Sequence, residues 1–266
     1  VALSMTDSTQ NCTQQVIPWG ISSALLGISF NSQAKEYWSD PSSFHIMNWN
    51  TEYDDALLAD KFGHLTFSYV SAKTLSGLFE SGGYNKREAT WLGSGIALFH
   101  QTIVEIKDGY SEGAPYLGFS HGDALANIIG AGLPVLQEYY PELNFMHLKF
   151  SFNPSESFKQ LGGNSIMNDY ESTYHWLSFN IAGMIGKNRL GPWANYVNIA
   201  LGHSVKGIDR YGSGNHEMYL SLDFNAEALP FEDGIGLTLK RLLNTLKLPM
   251  PCIKIYPHIV WYGIRI

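Results

Sequence analysis

The chain is short of charge, of cysteine and of long apolar runs, and each shortage narrows what it can be. Only 15% of its 266 residues are Asp, Glu, Lys or Arg, against a usual quarter or so. The net charge is −7 and no Lys/Arg run exceeds two residues. A nucleic-acid groove and a patch for anionic lipid are therefore disfavoured. Two cysteines, Cys12 and Cys252, stand near opposite ends with no CxxC pair. They suit one disulfide in an oxidising compartment or two thiols equally well. No stretch reaches the run of about 18 apolar residues that a spanning helix needs. The apolar stretch from Val16 to Phe30 is interrupted by Pro18 and Gly20 and has no basic leader before it. It reads as a lead-in segment plus a packed helix. Because the sequence starts at Val1, it reads as processed or trimmed. Gln10-Asn11 before Cys12 does not make a lipidation box, so lipid on Cys12 is not expected.

Familiar catalytic signals are missing as well. There is no HExxH, and Ser120-His121 is not a nucleophile elbow. Gly93-Ser94-Gly95 and Gly130-Ala131-Gly132 fall inside helical stretches instead of following a strand. They fit close helix contact better than a phosphate loop. What the chain does have is aromatic side chains: 15 Tyr, 14 Phe and 7 Trp. With so little charge, that balance suits a well-cored protein. It also suits one that works against a membrane or a large partner.

The texture changes near Tyr140. Before it the apolar period is helical. One helix is predicted from Glu52 to Glu80, a second from Lys86 to Asp108, and a third from Ser120 to Tyr139 with Ser120 as N-cap and a bend or end at Pro134. After it, alternation predicts strands at Phe145 to Phe152, Thr173 to Ile181, Tyr196 to His203, His216 to Asn225 and Ile253 to Ile266. Turn signals lie at Gly162-Gly163-Asn164, Gly191-Pro192 and Gly212-Ser213-Gly214-Asn215, and exposed loops are expected over Gly183 to Pro192 and Ser204 to Asn215. One amphipathic helix, Gly234 to Lys247, interrupts the strands. The expectation is an α+β fold, with an N-terminal bundle of three to four helices and then an antiparallel β-rich half carrying that helix. Its parts are a leading segment and helix over 1–36, a helical core over 37–141 and a β-rich region over 142–266, packed as one unit. Trp176, Phe179, Tyr219, Phe224, Trp261 and Tyr262 are expected to pack the sheet against the helices. The minority alternative turns them toward lipid or an apolar partner.

A polar stripe runs through the three helices. Asp60, His64, Ser68 and Ser71 share one face. Ser94, Ala97, Gln101, Glu105 and Asp108 share another, and Asp123, Asn127, Gly130, Ala131 and Pro134 a third. Carboxylates and imidazole set among Ala, Leu and Ile are costly to bury unless they meet one another. The three faces should therefore converge, with Asp60, His64, Gln101, Glu105, Asp108, Asp123 and Asn127 forming one cluster. Its role is open. The groups can fix helix packing. His64, Glu105 and Asp123 can alternatively hold a divalent metal or do acid–base work, or the cluster can line a ligand pocket. No cofactor is called for. His100, His121 and His147 read as local, with His121 helping to cap the third helix.

Asp60-Lys61-Phe62-Gly63-His64, Gln101 to Gly109, and Gly118-Phe119-Ser120 with Asp123 and Ala126-Asn127 resemble an uncharacterised family described as predicted periplasmic lipoproteins of Gram-negative bacteria. Tyr37-Trp38-Ser39, Ser43-Phe44-His45, Trp176-Leu177-Ser178, Asn198-Ile199-Ala200, Tyr219-Leu220-Ser221 and Leu248-Pro249-Met250-Pro251 resemble its longer Bacteroidota members. The resemblance implies an address, the periplasm at the inner face of the outer membrane, and no established activity. It suggests a non-enzymatic accessory protein whose partner is a large outer-membrane β-barrel, with a type IX secretion translocon as one candidate to be plugged or gated. Peripheral membrane contact fits the same address. An envelope lipid or cell-wall hydrolase and a small-molecule binding protein are the alternatives.

Overall fold

The computed structural model describes residues 3–38, 40–112, 117–155, 169–185, 191–208, 213–232 and 234–265. Helix α1 (Leu3–Glu36) runs through Pro18 without ending. The interruption expected at Pro18 and Gly20 is therefore absent. Pro18 forfeits one helical hydrogen bond, but its ring is buried against Gly82. No described helix is long and apolar enough to cross a membrane.

The helix expected from Glu52 to Glu80 is two helices. Helix α2 (Trp49–Asp54) and α3 (Ala59–Ser81) are separated by a tight turn in which Ala56, Leu57 and Leu58 have φ of 45°, 52° and 64°. Left-handed backbone costs a non-glycine residue about 1–2 kcal/mol. Burial opposes that cost, because Ala56 and Ala59 pack on Val205 with Leu57 alongside. Helix α4 (Lys86–Gly109) is capped by Asn85, whose side chain accepts from Glu88 N. Helix α5 (His121–Tyr139) is capped by Ser120, which accepts from Asp123 N, and it continues through Pro134. The end or bend expected at Pro134 is thus not an end.

The three long helices α3, α4 and α5 meet through small residues. Ala72, Ala97 and Ala131 form one buried cluster. A Cβ on Gly130 would stand 2.2 Å from Leu65 O, so only glycine permits that approach of α5 to α3. Tyr69, Leu75, Phe79 and Val104 are buried as well, but on α4 and α5 Trp91, Phe99, Leu125, Ile128, Ile129 and Leu136 are exposed.

The second half is a six-stranded antiparallel meander in the order β1 (Met146–Phe152), β2 (Thr173–Asn180), β3 (Val197–Lys206), β4 (Asn215–Phe224), β5 (Met250–Tyr256), β6 (Val260–Arg265). The single strand expected from Ile253 to Ile266 is thus a hairpin turning at Pro257-His258. Of the expected loops, residues 183–185 belong to a short helix, α6 (Ile181–Ile185), and β3 extends to Lys206. Residues 186–190 and 209–212, and the turn at Gly162-Gly163-Asn164, lie outside the described residues, as does the Cys12 side chain. Cys252 is buried. Helix α7 (Gly234–Thr245) packs on α3, where Arg241 pairs with Glu80.

The sheet is strongly curled. Lys149 on β1 and Asp223 on β4 have two strands between them, which in a flat sheet sets them roughly 14 Å apart. Their charged groups are instead 2.7 Å apart and fully buried. Inside the curl Tyr174, Trp176, Ala200, Tyr219 and Cys252 form a cluster with Tyr262 against it. A Cβ on Gly202 would come within 2.5 Å of the Trp176 ring, so glycine makes room for it. This corrects the expected role of the strand aromatics. Trp176, Tyr219 and Tyr262 pack on one another within the sheet, Phe179 stacks on Phe145, Phe224 stacks on Tyr196, and Trp261 is 66% exposed. The aromatics that join helix to sheet are Phe62 and Phe67 of α3, against His175, His203 and Phe150.

Candidate functional site

The first turns of α3 and α5 and the last turns of α4 lie side by side, and the polar stripe sits where they touch. On α3, Asp60 and His64 are one turn apart, with His64 Nε2 3.7 Å from Asp60 Oδ1. From α4, Glu105 Oε1 approaches His64 Nδ1 to 3.4 Å. From α5, Asn127 Oδ1 stands 3.2 Å from the same nitrogen and accepts a 2.7 Å hydrogen bond from Ser68 Oγ. Lys61 Nζ lies 3.0 Å from Asp123 Oδ2 and 3.3 Å from Asp60 Oδ2. The structure thus brings Asp60, His64, Glu105, Asp123 and Asn127 together. Gln101 and Asp108 line the same cavity, of about 170 Å³, with Gln33, Tyr37, Tyr170 and His175.

Several partners have no signature in the sequence. Tyr170 Oη donates to Asp60 Oδ1 at 2.8 Å, and Trp38 Nε1 donates to Asp108 Oδ1 at 2.7 Å. Glu52 accepts from the N–H groups of His121 and Gly122, at 3.0 and 3.1 Å. A carboxylate at that place satisfies two orphan donors and complements the helix dipole. His121 therefore contributes its backbone to the capping of α5, while its ring stacks on Trp49. His147 meets Tyr69 Oη at 3.3 Å, and His100 meets Ser29 Oγ at 2.9 Å.

The electrostatics follow from crowding acids in a buried place. Burial would lower the His64 imidazolium, but Asp60, Asp123 and Glu105 raise it to about 9. Burial pushes Glu105 up to about 8 against the pull of His64. It also pushes Asp108 and Asp123 up to about 6, with Asp60 adding repulsion at Asp123. Asp60 goes the other way: despite burial, His64 and Lys61 hold it down at about 2. Buried Glu105 Oε1, Asp123 Oδ1 and Asn127 Nδ2 have no hydrogen-bond partner among the described residues. His64 contacts carboxylates and an amide, and no hydroxyl or thiol is paired with it among the described residues. The arrangement can lock helices, hold a cation or trade a proton.

A second polar network, not foreseen from the sequence, lies inside the curled sheet. Lys149 donates to Phe224 O, Ser178 donates to Asp223 Oδ2 at 2.6 Å, and Asn198 links Ser178 to Asn180. The opposite face of the sheet is apolar. Ile199 faces Leu222 and Leu201 faces Leu220 across β3 and β4, with Leu177, Ile253 and Trp261 continuing the Leu201 row. Ile199, Leu201, Leu220 and Leu222 are each 38–42% exposed.

Residues 47–139 match the profile of a family described as "Predicted periplasmic lipoprotein (DUF2279)". The match runs from just before α2 to the end of α5 and contains all seven residues of the predicted cluster. No curated protein and no solved structure matches the chain.

Proposed function

We propose that this chain is a non-enzymatic accessory protein of the periplasm, of the longer Bacteroidota form of that family. It works at the inner face of the outer membrane, binds a large outer-membrane β-barrel and plugs or gates its inner mouth. A type IX protein-secretion translocon is the barrel this reading favours. The observation that carries it is the apolar face that the sheet leaves exposed. Ion pairs and amides are buried in the curl, while a leucine and isoleucine row faces out. The helical half repeats the pattern, with alanine and glycine inside and Leu125, Ile128, Ile129 and Leu136 outside. Large exposed apolar patches mark surfaces that meet a partner. The family description supports the compartment, and the low charge supports a chain that works against an apolar surface. The test is purification of the native protein from envelope membranes in mild detergent. A barrel protein recovered in stoichiometric amount is expected. Recovery of the free monomer would contradict the reading.

The 170 Å³ cavity favours a second reading, an envelope lipid or cell-wall hydrolase or a small-molecule binder. Asp60→Asn and Glu105→Gln separate the two. Loss of a turnover with the fold intact supports chemistry, and loss of the fold supports a packing role.

A further inference from the structure

We propose that Asp60, His64 and Asp123 bind a divalent metal ion of the kind that accepts mixed nitrogen and oxygen donors, with Zn²⁺ as the probe. One donor atom from each of the three lies within 4.8 Å of the others. Donors about 2.0–2.2 Å from a tetrahedral ion stand roughly 3.3–3.6 Å apart, and His64 Nε2 and Asp60 Oδ1 are already at 3.7 Å. The donor set of one imidazole and two carboxylates suits zinc or manganese better than an all-oxygen ion such as calcium.

Three further observations point to an ion. First, Asp123 Oδ1 is buried and without a hydrogen-bond partner among the described residues, while Lys61 engages only the other oxygen, Oδ2. A buried carboxylate oxygen left unmatched is costly. Second, Asn127 Oδ1 at 3.2 Å and Glu105 Oε1 at 3.4 Å stand against His64 Nδ1, leaving Nε2 turned to Asp60. A carboxylate on the far ring nitrogen is how metal-binding imidazoles are oriented and made more basic. Third, the cavity next to these groups is lined by Asp60, Glu105, Asp108 and Asp123, which outnumber Lys61 and His64. A divalent cation meets that excess of acid, and it ties the start of α3 to the start of α5.

The experiment uses the full chain stripped with chelator and titrated with ZnCl₂, read by calorimetry and by thermal unfolding. One equivalent should bind and raise Tm. Asp123→Asn and His64→Gln should each abolish the one-equivalent step. Glu105→Gln, which touches no donor atom of the ion, should weaken binding about 10–100-fold. That variant carries the test if Asp123→Asn does not fold. His216→Ala removes the neighbouring His203–His216 pair, whose ring nitrogens are 3.0 Å apart, and should leave binding unchanged. No saturable one-equivalent binding would overturn the proposal. So would wild-type affinity in folded His64→Gln, or loss of binding in His216→Ala.

Discussion

At the scale of single residues, the sharpest statements concern charges that have left water. Lys149 and Asp223 are 2.7 Å apart and fully buried. Burial pulls the Lys149 ammonium down, and Asp223 opposes that pull. Removing one member strands the other, which typically costs about 3–5 kcal/mol. Lys149→Met should therefore lower the unfolding free energy by that amount in urea titrations. The double change Lys149→Met with Asp223→Leu should recover most of it. Additive losses would contradict the pairing. The metal-free helical cluster makes a pH prediction. His64 is raised from 6.5 to about 9 in the folded chain. The folded state then binds its proton more tightly, so this stabilisation is complete below about pH 6.5 and is lost as pH rises through 9. Urea midpoints measured in chelator should fall across that window, and His64→Gln should fall less steeply. His147 and His175, lowered by burial to about 3, act in the opposite sense. Their contribution is present above about pH 6.5 and disappears as pH drops toward 3.

At the scale of elements, the close approach of α5 to α3 sets the cluster's geometry. Gly130 sits 2.2 Å, by its absent Cβ, from Leu65 O, whereas Gly132 on the same helix meets nothing within 4 Å. Gly130→Leu should destabilise by at least about 1–3 kcal/mol, because backbone must shift. Gly132→Ala should be neutral or stabilise by up to about 1 kcal/mol through helix propensity. Equal effects in thermal unfolding would sink this account of the helix contact. The same elements show what the sequence made legible. Helices α4 and α5 announce themselves through their apolar period, and α5 also through Ser120 as cap. The division at 55–58 does not, since Asp-Ala-Leu-Leu carries neither glycine nor proline and is turned by packing on Val205. Pro18 misleads in the other direction, because the helix runs on through it with its ring buried against Gly82. Four-residue spacing brought out the polar faces. Tyr170, Trp38 and Glu52 reach the cluster from 110, 70 and 69 residues away, and local pattern holds no trace of such contacts. Strand alternation likewise separates two faces without saying which is inside.

At the scale of the whole molecule, both halves bury polar groups beside their aromatic core and leave other apolar side chains exposed. The helices bury acids, imidazole, alanine and glycine, and the sheet buries lysine, aspartate and asparagine. Ile128, Ile129 and Leu136 face out on the helices and Leu201, Leu222 and Trp261 on the sheet, while Tyr69, Phe79 and Trp176 are buried. A free surface of that kind is a liability that a partner removes. Leu201→Lys with Leu222→Lys changes exposed positions of the sheet, so stability should stay within about 0.5 kcal/mol per site. Recovery of the chain in the membrane fraction should fall sharply, and unchanged recovery would argue that another surface does the binding. The most direct measurement is photo-crosslinking in intact cells from a reactive amino acid placed at position 201 or 222. The account predicts a discrete adduct between this chain and an integral outer-membrane barrel, absent when the group is placed at exposed Glu112. A chain that stays uncrosslinked, or that crosslinks only to lipid, would contradict it.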